Sequence, residues 1–181
     1  EEEERLLMGE LNHRVKNTLA TIQSLFRQSL RAADSLQGFE ESFLGRLYAL
    51  EATHAVLMKT NWAGGASLAD VLRAELAPFH GDKSLRWTGF GPPIVLNTSA
   101  AVYLGLILHE LTTNAVKYGS LGDSGGQLDV MWHLYEEHDR EFLRITWTES
   151  GGPAVPEPGK PGFGSKLLAS ISRQFGGRVS H

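Results

Sequence analysis

The sequence predicts an α+β protein in two parts. An N-terminal helical hairpin, half of a four-helix bundle, leads into an α/β sandwich whose helices cover a mixed, mostly antiparallel sheet. Three observations point to this. Apolar residues recur at helical spacing through roughly the first sixty residues. The small-residue stretch Asn61-Trp62-Ala63-Gly64-Gly65-Ala66 then interrupts the pattern. Beyond it, helical and strand-like stretches alternate in the order α, β, β, α, β, β, loop, α. The expected divisions are 1–60 for the hairpin, 61–66 for a hinge and 67–181 for the sandwich domain, which is expected to be truncated at its C-terminal end.

The first helix is expected over residues 1 to about 33. Leu7, Leu11, Val15, Leu19, Ile22, Phe26 and Leu30 follow one another at spacings of 4 and 3. They form an apolar stripe about 140° wide. His13 falls about 170° from the centre of that stripe, so it points at solvent. Glu10 and Asn17 share its face at i−3 and i+4. An exposed imidazole has ring nitrogens available as nucleophiles. On its own, such a histidine is an ordinary surface residue.

Asp34-Ser35-Leu36 reads as a tight link with an N-cap. A second helix follows to about residue 59, with Phe39, Phe43, Leu47, Leu50, His54, Leu57 and Met58 as its apolar stripe. His54, at the centre of that stripe, reads as a packed structural histidine. Two helices cannot bury both stripes in one hairpin, so a four-helix bundle is expected, built with a second copy or with other parts of the chain.

In the second domain, Ser67 is expected to N-cap a helix running to about Pro78, with Leu68, Val71, Leu72 and Leu76 inward. Arg86 to Gly89 and Ile94 to Leu96 are short strand candidates. A central helix from Ser99 to Tyr118 follows. Its core stripe is expected at Ala100, Leu104, Ile107, Leu108, Leu111 and Ala115, and Gly119 is its C′ stop. Glu110, Asn114 and Lys117 share another edge. A carboxylate and an amide suit Mg²⁺, and an ammonium suits phosphate. Gln127 to Tyr135 and Glu141 to Trp147 alternate as strands, with Glu136 to Arg140 as their turn. Leu167 to Phe175 reads as a last helix, closed by Gly176-Gly177.

Composition narrows the function classes. The chain has 181 residues, is 41% hydrophobic and 21% charged, carries a net charge of −4 and has no cysteine. Disulfides, cysteine zinc sites and thiol catalysis are therefore absent, which fits a reducing compartment. No basic stripe offers a nucleic-acid footprint, and no apolar run is long enough to span a membrane. No signal-peptide pattern is present. The chain begins mid-helix at Glu1 and stops at His181 just after a strand-like start, and is expected to be part of something longer.

His13-Arg14-Val15-Lys16-Asn17 resembles the HRxKN phosphoacceptor box of bacterial sensor histidine kinases, in the form that marks the HWE branch. Three further stretches resemble, in order, the boxes of the ATP-binding domain shared by histidine kinases, gyrase, Hsp90 and MutL. They are the central helix with His109-Glu110 and Asn114, then Trp147-Thr148-Glu149-Ser150-Gly151-Gly152-Pro153, then Gly162-Phe163-Gly164-Ser165-Lys166. His109 and Trp147-x-Glu149 are the two marks of the HWE branch. The resemblance covers nearly the whole chain.

The resemblance implies Mg-ATP-dependent phosphorylation of His13 in the bacterial cytoplasm, with transfer to an Asp of a response regulator receiver domain. It implies Asn114 on Mg²⁺, Glu110 near the metal or the attacking group, and Lys117 and Tyr118 at the phosphates or lid. It puts Glu149 on the adenine amino group with Gly151 beside the base. Gly162, Phe163 and Gly164 are expected where a helix start meets phosphate. Asn17 takes the place where other kinases position water for the reverse reaction. An upstream sensor of PAS or light-sensing type is implied, as is a homodimer through the hairpin, though this branch includes a monomeric alternative. The chain departs from the majority pattern at Arg14, where most histidine kinases carry the acid that serves as general base. Either the base comes from elsewhere, with Glu10 and Glu110 as candidates, or the imidazole is neutral without help. Two rival readings are a catalytically silent signalling scaffold and a protein-serine kinase built on the same ATP fold. His109 has no role that the helical wheel explains.

Overall fold

The computed structural model describes residues 2–60, 64–81, 84–122, 125–153, 164–166, 169 and 178–180. Contacts divide the chain into two compact units, Glu1–Tyr48 and Ala49–His181. The division falls inside the second helix. The hinge expected at 61–66 is described only in part, since residues 61–63 lie outside the described residues. Its described end is tied down: the Thr60 hydroxyl donates toward the carbonyls of Leu57, at 3.0 Å, and Gly65, at 2.6 Å.

In the first unit, α1 (Glu2–Ala32) and the start of α2 (Leu36–Met58) form the hairpin. Ser35 caps α2, its Oγ accepting from the Gly38 N–H at 3.0 Å, as the Asp34-Ser35-Leu36 link predicts. Phe26 packs edge-on against Phe39 and Phe43, with ring centroids 5.2 and 5.6 Å away. Leu25 and Ser29 are buried, and so is Arg46, which donates to the Ser29 hydroxyl at 2.5 Å. The stripe read from the sequence is mostly uncovered. Leu7, Leu11, Val15, Leu19 and Leu30 are all exposed, and Leu7 is 61% accessible. Two helices bury only the line where they touch, here drawn through Leu25 and Ser29, and leave the rest of a wide stripe open.

In the second unit, a three-stranded sheet has the order β4-β6-β7, with β4 (Trp87–Phe90), β6 (Gln127–Glu137) and β7 (Arg140–Ser150). β4 runs parallel to β6 and β7 antiparallel to it, so the sheet is mixed. Two-residue pairs flank it: β1 (Ala66–Ser67) with β5 (Val95–Leu96), and β2 (His80–Gly81) with β3 (Ser84–Leu85). β1, β2 and β3 were not among the expected strands. Pairs this short carry no alternation to read.

The hairpin strands run further than expected and close in a two-residue turn. His138 and Asp139 both have positive φ, 54° and 56°, which gives the twist of a tight β-hairpin. Neither residue is the glycine that normally signals such a turn. The α3 helix (Leu68–Leu76) stops short of Pro78 and passes into a 3₁₀ turn at Ala77–Phe79. Ser67 sits at its N-cap without a side-chain cap bond. The chain is satisfied another way: the Leu68 N–H donates to the Ile94 carbonyl at 2.9 Å, alongside the β1–β5 pair.

The core of this unit gathers Leu57 from the end of α2, Val71, Leu72 and Leu76 from α3, Leu108 and Ala115 from α4 (Thr98–Tyr118), and Leu128 and Val130 from β6. On α4 the fully buried line is Ala101, Gly105, Leu108, Thr112 and Ala115. The expected stripe was rotated from this, and Ala100, Leu104, Ile107 and Leu111 are only half-buried. Gly105 explains the rotation. A Cβ there would lie 2.1 Å from Oγ1 of Thr53, itself fully buried, so α2 and α4 meet through small residues that a hydrophobic wheel does not weight. On α2, Met58 is exposed instead of inward, while Thr53 and Val56 are buried. Gly164 to Lys166, just ahead of the expected last helix, are helical; within the expected span Ala169 is helical and the remainder lies outside the described residues.

Candidate nucleotide site and phosphoacceptor face

The α4 helix starts cleanly, with Asn97 Oδ1 accepting from the Ala100 N–H at 2.9 Å. At its other end Gly119 is the C-cap, but not in the left-handed conformation usual for a terminal glycine; its φ is −125°. The reason for glycine is a neighbour. A Cβ at Gly119 would stand 2.0 Å from Oε2 of Glu149. That oxygen accepts from the Ser120 N–H at 2.8 Å, and Oε1 of the same carboxylate accepts from the Trp147 indole N–H at 3.0 Å.

The Trp147-x-Glu149 spacing thus has a physical basis. On β7, residues two apart face the same way, so the indole can reach the carboxylate. Glycines complete the junction. A Cβ at Gly152 would be 2.9 Å from the Ser120 N, and one at Gly126 would be 2.7 Å from the Ser120 carbonyl oxygen. Arg86 donates to the carbonyls of Ser120, at 2.9 Å, and Gly122, at 2.6 Å. The first two boxes therefore meet where α4 ends. Gly151, beside them, is exposed with φ +68°, a backbone state that favours glycine.

Glu110 is half-buried on α4, whereas Asn114, Lys117 and Tyr118 are exposed further along the helix. The third box meets this edge at Gly164, where a Cβ would lie 3.3 Å from the Glu110 Cβ and 3.7 Å from its Oε2. Gly162 and Phe163 lie outside the described residues. Among the described residues no three His, Asp or Glu side chains gather into a metal cage. The donor set of Glu110 and Asn114, one carboxylate and one amide, fits Mg²⁺ held chiefly by waters and substrate phosphates.

His109 turns away from that edge. Its Nδ1 is 3.7 Å from Oε2 of Glu75 on α3, and Glu75 is buried. Sequence reasoning missed Glu75, Ser120 and Arg86. A signal for Glu75 existed: it falls at helical spacing among Leu68, Val71, Leu72 and Leu76, a charge on the apolar face of a short helix. No comparable pattern marks Ser120 or Arg86, whose roles run through backbone atoms.

On α1, His13 is exposed, and its Nδ1 lies 3.3 Å from Nδ2 of Asn17. Glu10 forms an ion pair with Arg14 one turn later. The structure therefore brings Asn17 to the ring and holds Glu10 on Arg14. Half-buried on α2, His54 has its pKa pushed below the ordinary histidine value by burial.

The chain therefore joins a helical hairpin with an exposed histidine to a mixed-sheet unit with a polar-edged helix and glycine-lined junctions. The family model described as HWE histidine kinase matches residues 10–93. Over that segment, just under half of the chain, the sequence is similar to the HWE histidine kinase family. It is similar to proteins named blue-light-activated histidine kinase. The one from Brucella anthropi is 37% identical over 171 residues, which is 94% of this chain and 35% of that protein. The one from Brucella melitensis biotype 1 is 37% identical over 166 residues, 92% of this chain and 34% of that protein. The chain thus spans about a third of the length of these relatives. A solved blue-light activated histidine kinase of Erythrobacter litoralis shares the fold, with a TM-score of 0.59 at 19% identity over 96% of this chain and 57% of that one.

Proposed function

We propose that this chain is the core of a sensor histidine kinase that uses Mg-ATP to phosphorylate its own His13 and passes the phosphoryl group to an Asp of a response regulator receiver domain. The observation that carries the reading is the convergence on α4. Gly164 lies against Glu110, and Glu149 grips the Ser120 N–H at the helix end, so the second and third boxes both reach α4. In this reading Lys117 offsets phosphate charge and Tyr118 borders the lid begun by Gly162, Phe163 and Gly164. Asn114 and Glu110 hold Mg²⁺, which supplies charge neutralisation on the transferring group. Glu149 and Gly151 border the base. Both Glu149 oxygens already accept one N–H each, and a carboxylate oxygen retains a second lone pair for the adenine amino group.

The hairpin supplies the acceptor and, through its uncovered Leu7, Leu11, Val15, Leu19 and Leu30, the surface for a homodimeric four-helix bundle. Residues 1–60 then act as the dimerisation and phosphotransfer part and 67–181 as the ATP-binding part. An upstream sensor of PAS or light-sensing type and a bacterial cytoplasmic setting are part of the proposal, and the blue-light activation in the relatives' names supports the light-sensing form. No described helix is long and apolar enough to cross a membrane.

The test is incubation with γ-labelled ATP and Mg²⁺. Acid-labile label that disappears in His13→Ala is expected. Label that persists in that variant, or that proves acid-stable and alkali-labile, overturns the reading.

A further inference from the structure

The α1 surface around His13 carries two interleaved pairs, each one helical turn apart. Glu10 is bound to Arg14, and His13 faces Asn17. The first pair has the favourable order, acid before base along the helix. It commits the carboxylate nearest His13 to a guanidinium. The second pair sets Nδ2 of the Asn17 amide 3.3 Å from the ring's Nδ1, with Oδ1 a half-turn of the amide away, and leaves Nε2 as the nitrogen on the far side of the ring from Asn17.

An amide offers the ring either of two groups, related by a half-turn of its side chain. If the NH₂ group donates to Nδ1, the ring proton sits on Nε2 and the outer nitrogen has no lone pair to offer. If the carbonyl Oδ1 accepts from Nδ1–H, Nε2 carries the lone pair. A group that fixes a histidine tautomer through the other ring nitrogen is a recurrent way to make the outer nitrogen reactive. We propose that Asn17 is the positioning residue for His13. Its Oδ1 holds the Nδ1–H tautomer and thereby presents Nε2 as the nucleophile, the task that a carboxylate beside the histidine would otherwise perform. This rests on the reading of His13 as phosphoacceptor.

The step balances without a general base. The Nε2 lone pair forms the N–P bond as the bond from the γ-phosphorus to the bridging oxygen breaks. The nucleoside diphosphate leaves with that electron pair. The proton stays on Nδ1, against Asn17, and passes to solvent afterwards. Arg14 in the acid's usual place is then no defect, because the acid's orienting function has moved one turn along the same face.

The experiment separates this step from ATP binding by using phosphoramidate, a small phosphoryl donor, on the whole chain. The ring tautomer is read by ¹⁵N NMR, with His13→Ala assigning the resonance. Wild type is expected to show the Nδ1–H form, and Asn17→Leu to revert to Nε2–H. The phosphoramidate labelling rate is expected to fall about tenfold in Asn17→Leu, the factor set by one ordinary hydrogen bond. Asn17→Asp, which keeps an acceptor, should remain within about twofold of wild type on the same reasoning. A tautomer unchanged in Asn17→Leu, or a labelling rate unchanged, overturns the proposal. If the tautomer and phosphoramidate results hold while ATP gives no label, the kinase reading fails and the role of Asn17 stands.

Discussion

Nδ1 of His109 stands 3.7 Å from Oε2 of Glu75, and the pair bridges α4 and α3. Glu75 is 9% exposed, and its other oxygen, Oε1, is buried without a hydrogen-bond partner. A buried carboxylate is costly unless something compensates it. Among the described residues His109 is the basic side chain within ion-pair distance of Glu75, and this contact gives the histidine a physical role. It braces α4 against α3 while Asn114 and Lys117 remain on the exposed edge.

Removing one partner of such a pair leaves the other uncompensated, whereas replacing the charge itself by an apolar group does not. His109→Ala is therefore expected to destabilise the chain by about 3 kcal/mol, near the low end for a broken buried pair because the imidazole is partly accessible. Glu75→Leu should cost less than about 1 kcal/mol, and the double variant should lie close to Glu75→Leu alone. Urea unfolding of the four proteins measures the coupling. Additive single effects would show that the two side chains do not interact.

Gly119 and Glu149 support a second expectation. The glycine is required by the carboxylate that stands where its Cβ would be, and not by a left-handed turn. Gly119→Ala must push Glu149 off the Ser120 N–H, leaving that buried serine's amide unpaired at a cost of about 1–3 kcal/mol. Glu149→Gln has a related defect. A neutral amide has one oxygen for two N–H donors and sets its own NH₂ against one of them. Trp147→Phe, which deletes only the indole donor, should be the mildest of the three at about 1 kcal/mol. Thermal unfolding ranks them, and a Gly119→Ala protein as stable as wild type would show that the carboxylate is not held at the helix end.

What the sequence made legible divides along the same line. Whole elements with strong periodicity were readable: α1, α2, α4 and the β6–β7 hairpin all occur where apolar spacing puts them. So was the solvent exposure of His13, because a residue opposite a wide stripe has nowhere else to point. Contacts made by small or polar groups were not readable. Gly105 against Thr53 turns α4 away from the face that its leucines suggest. Arg46 is buried on Ser29, although its charge argues for the surface. Glu149 was read as a base-recognition residue, and its structural partners, Ser120 and Trp147, emerge only when strand and helix end are brought together.

The buried arginine carries its own expectation. Arg46 is 4% exposed and donates to Ser29, which is fully buried. Ser29→Ala removes an acceptor from a charged donor, and such bonds contribute about 1.5–3 kcal/mol. The loss should appear as a lower melting temperature by far-UV circular dichroism. Because this contact lies inside the Glu1–Tyr48 unit, the nucleotide affinity proposed for the other unit should be unchanged. A weaker affinity in Ser29→Ala would mean that the hairpin and the second unit are energetically coupled through this site.

His54 links stability to pH. Burial pushes its pKa below the ordinary histidine value of 6.5, because the charged form loses solvation. The unfolded chain therefore binds its proton at a higher pH than the folded one. The stability associated with neutral His54 is fully present above pH 6.5 and is lost as the pH falls from there through the folded-state value. Wild type should consequently lose stability between pH 7.5 and pH 5.5, and His54→Gln, which has no proton to take up, should lose less over the same interval. The difference between the two slopes isolates this group from the other histidines and the carboxylates. Parallel slopes would mean that the ring titrates alike in both states and is not desolvated on folding.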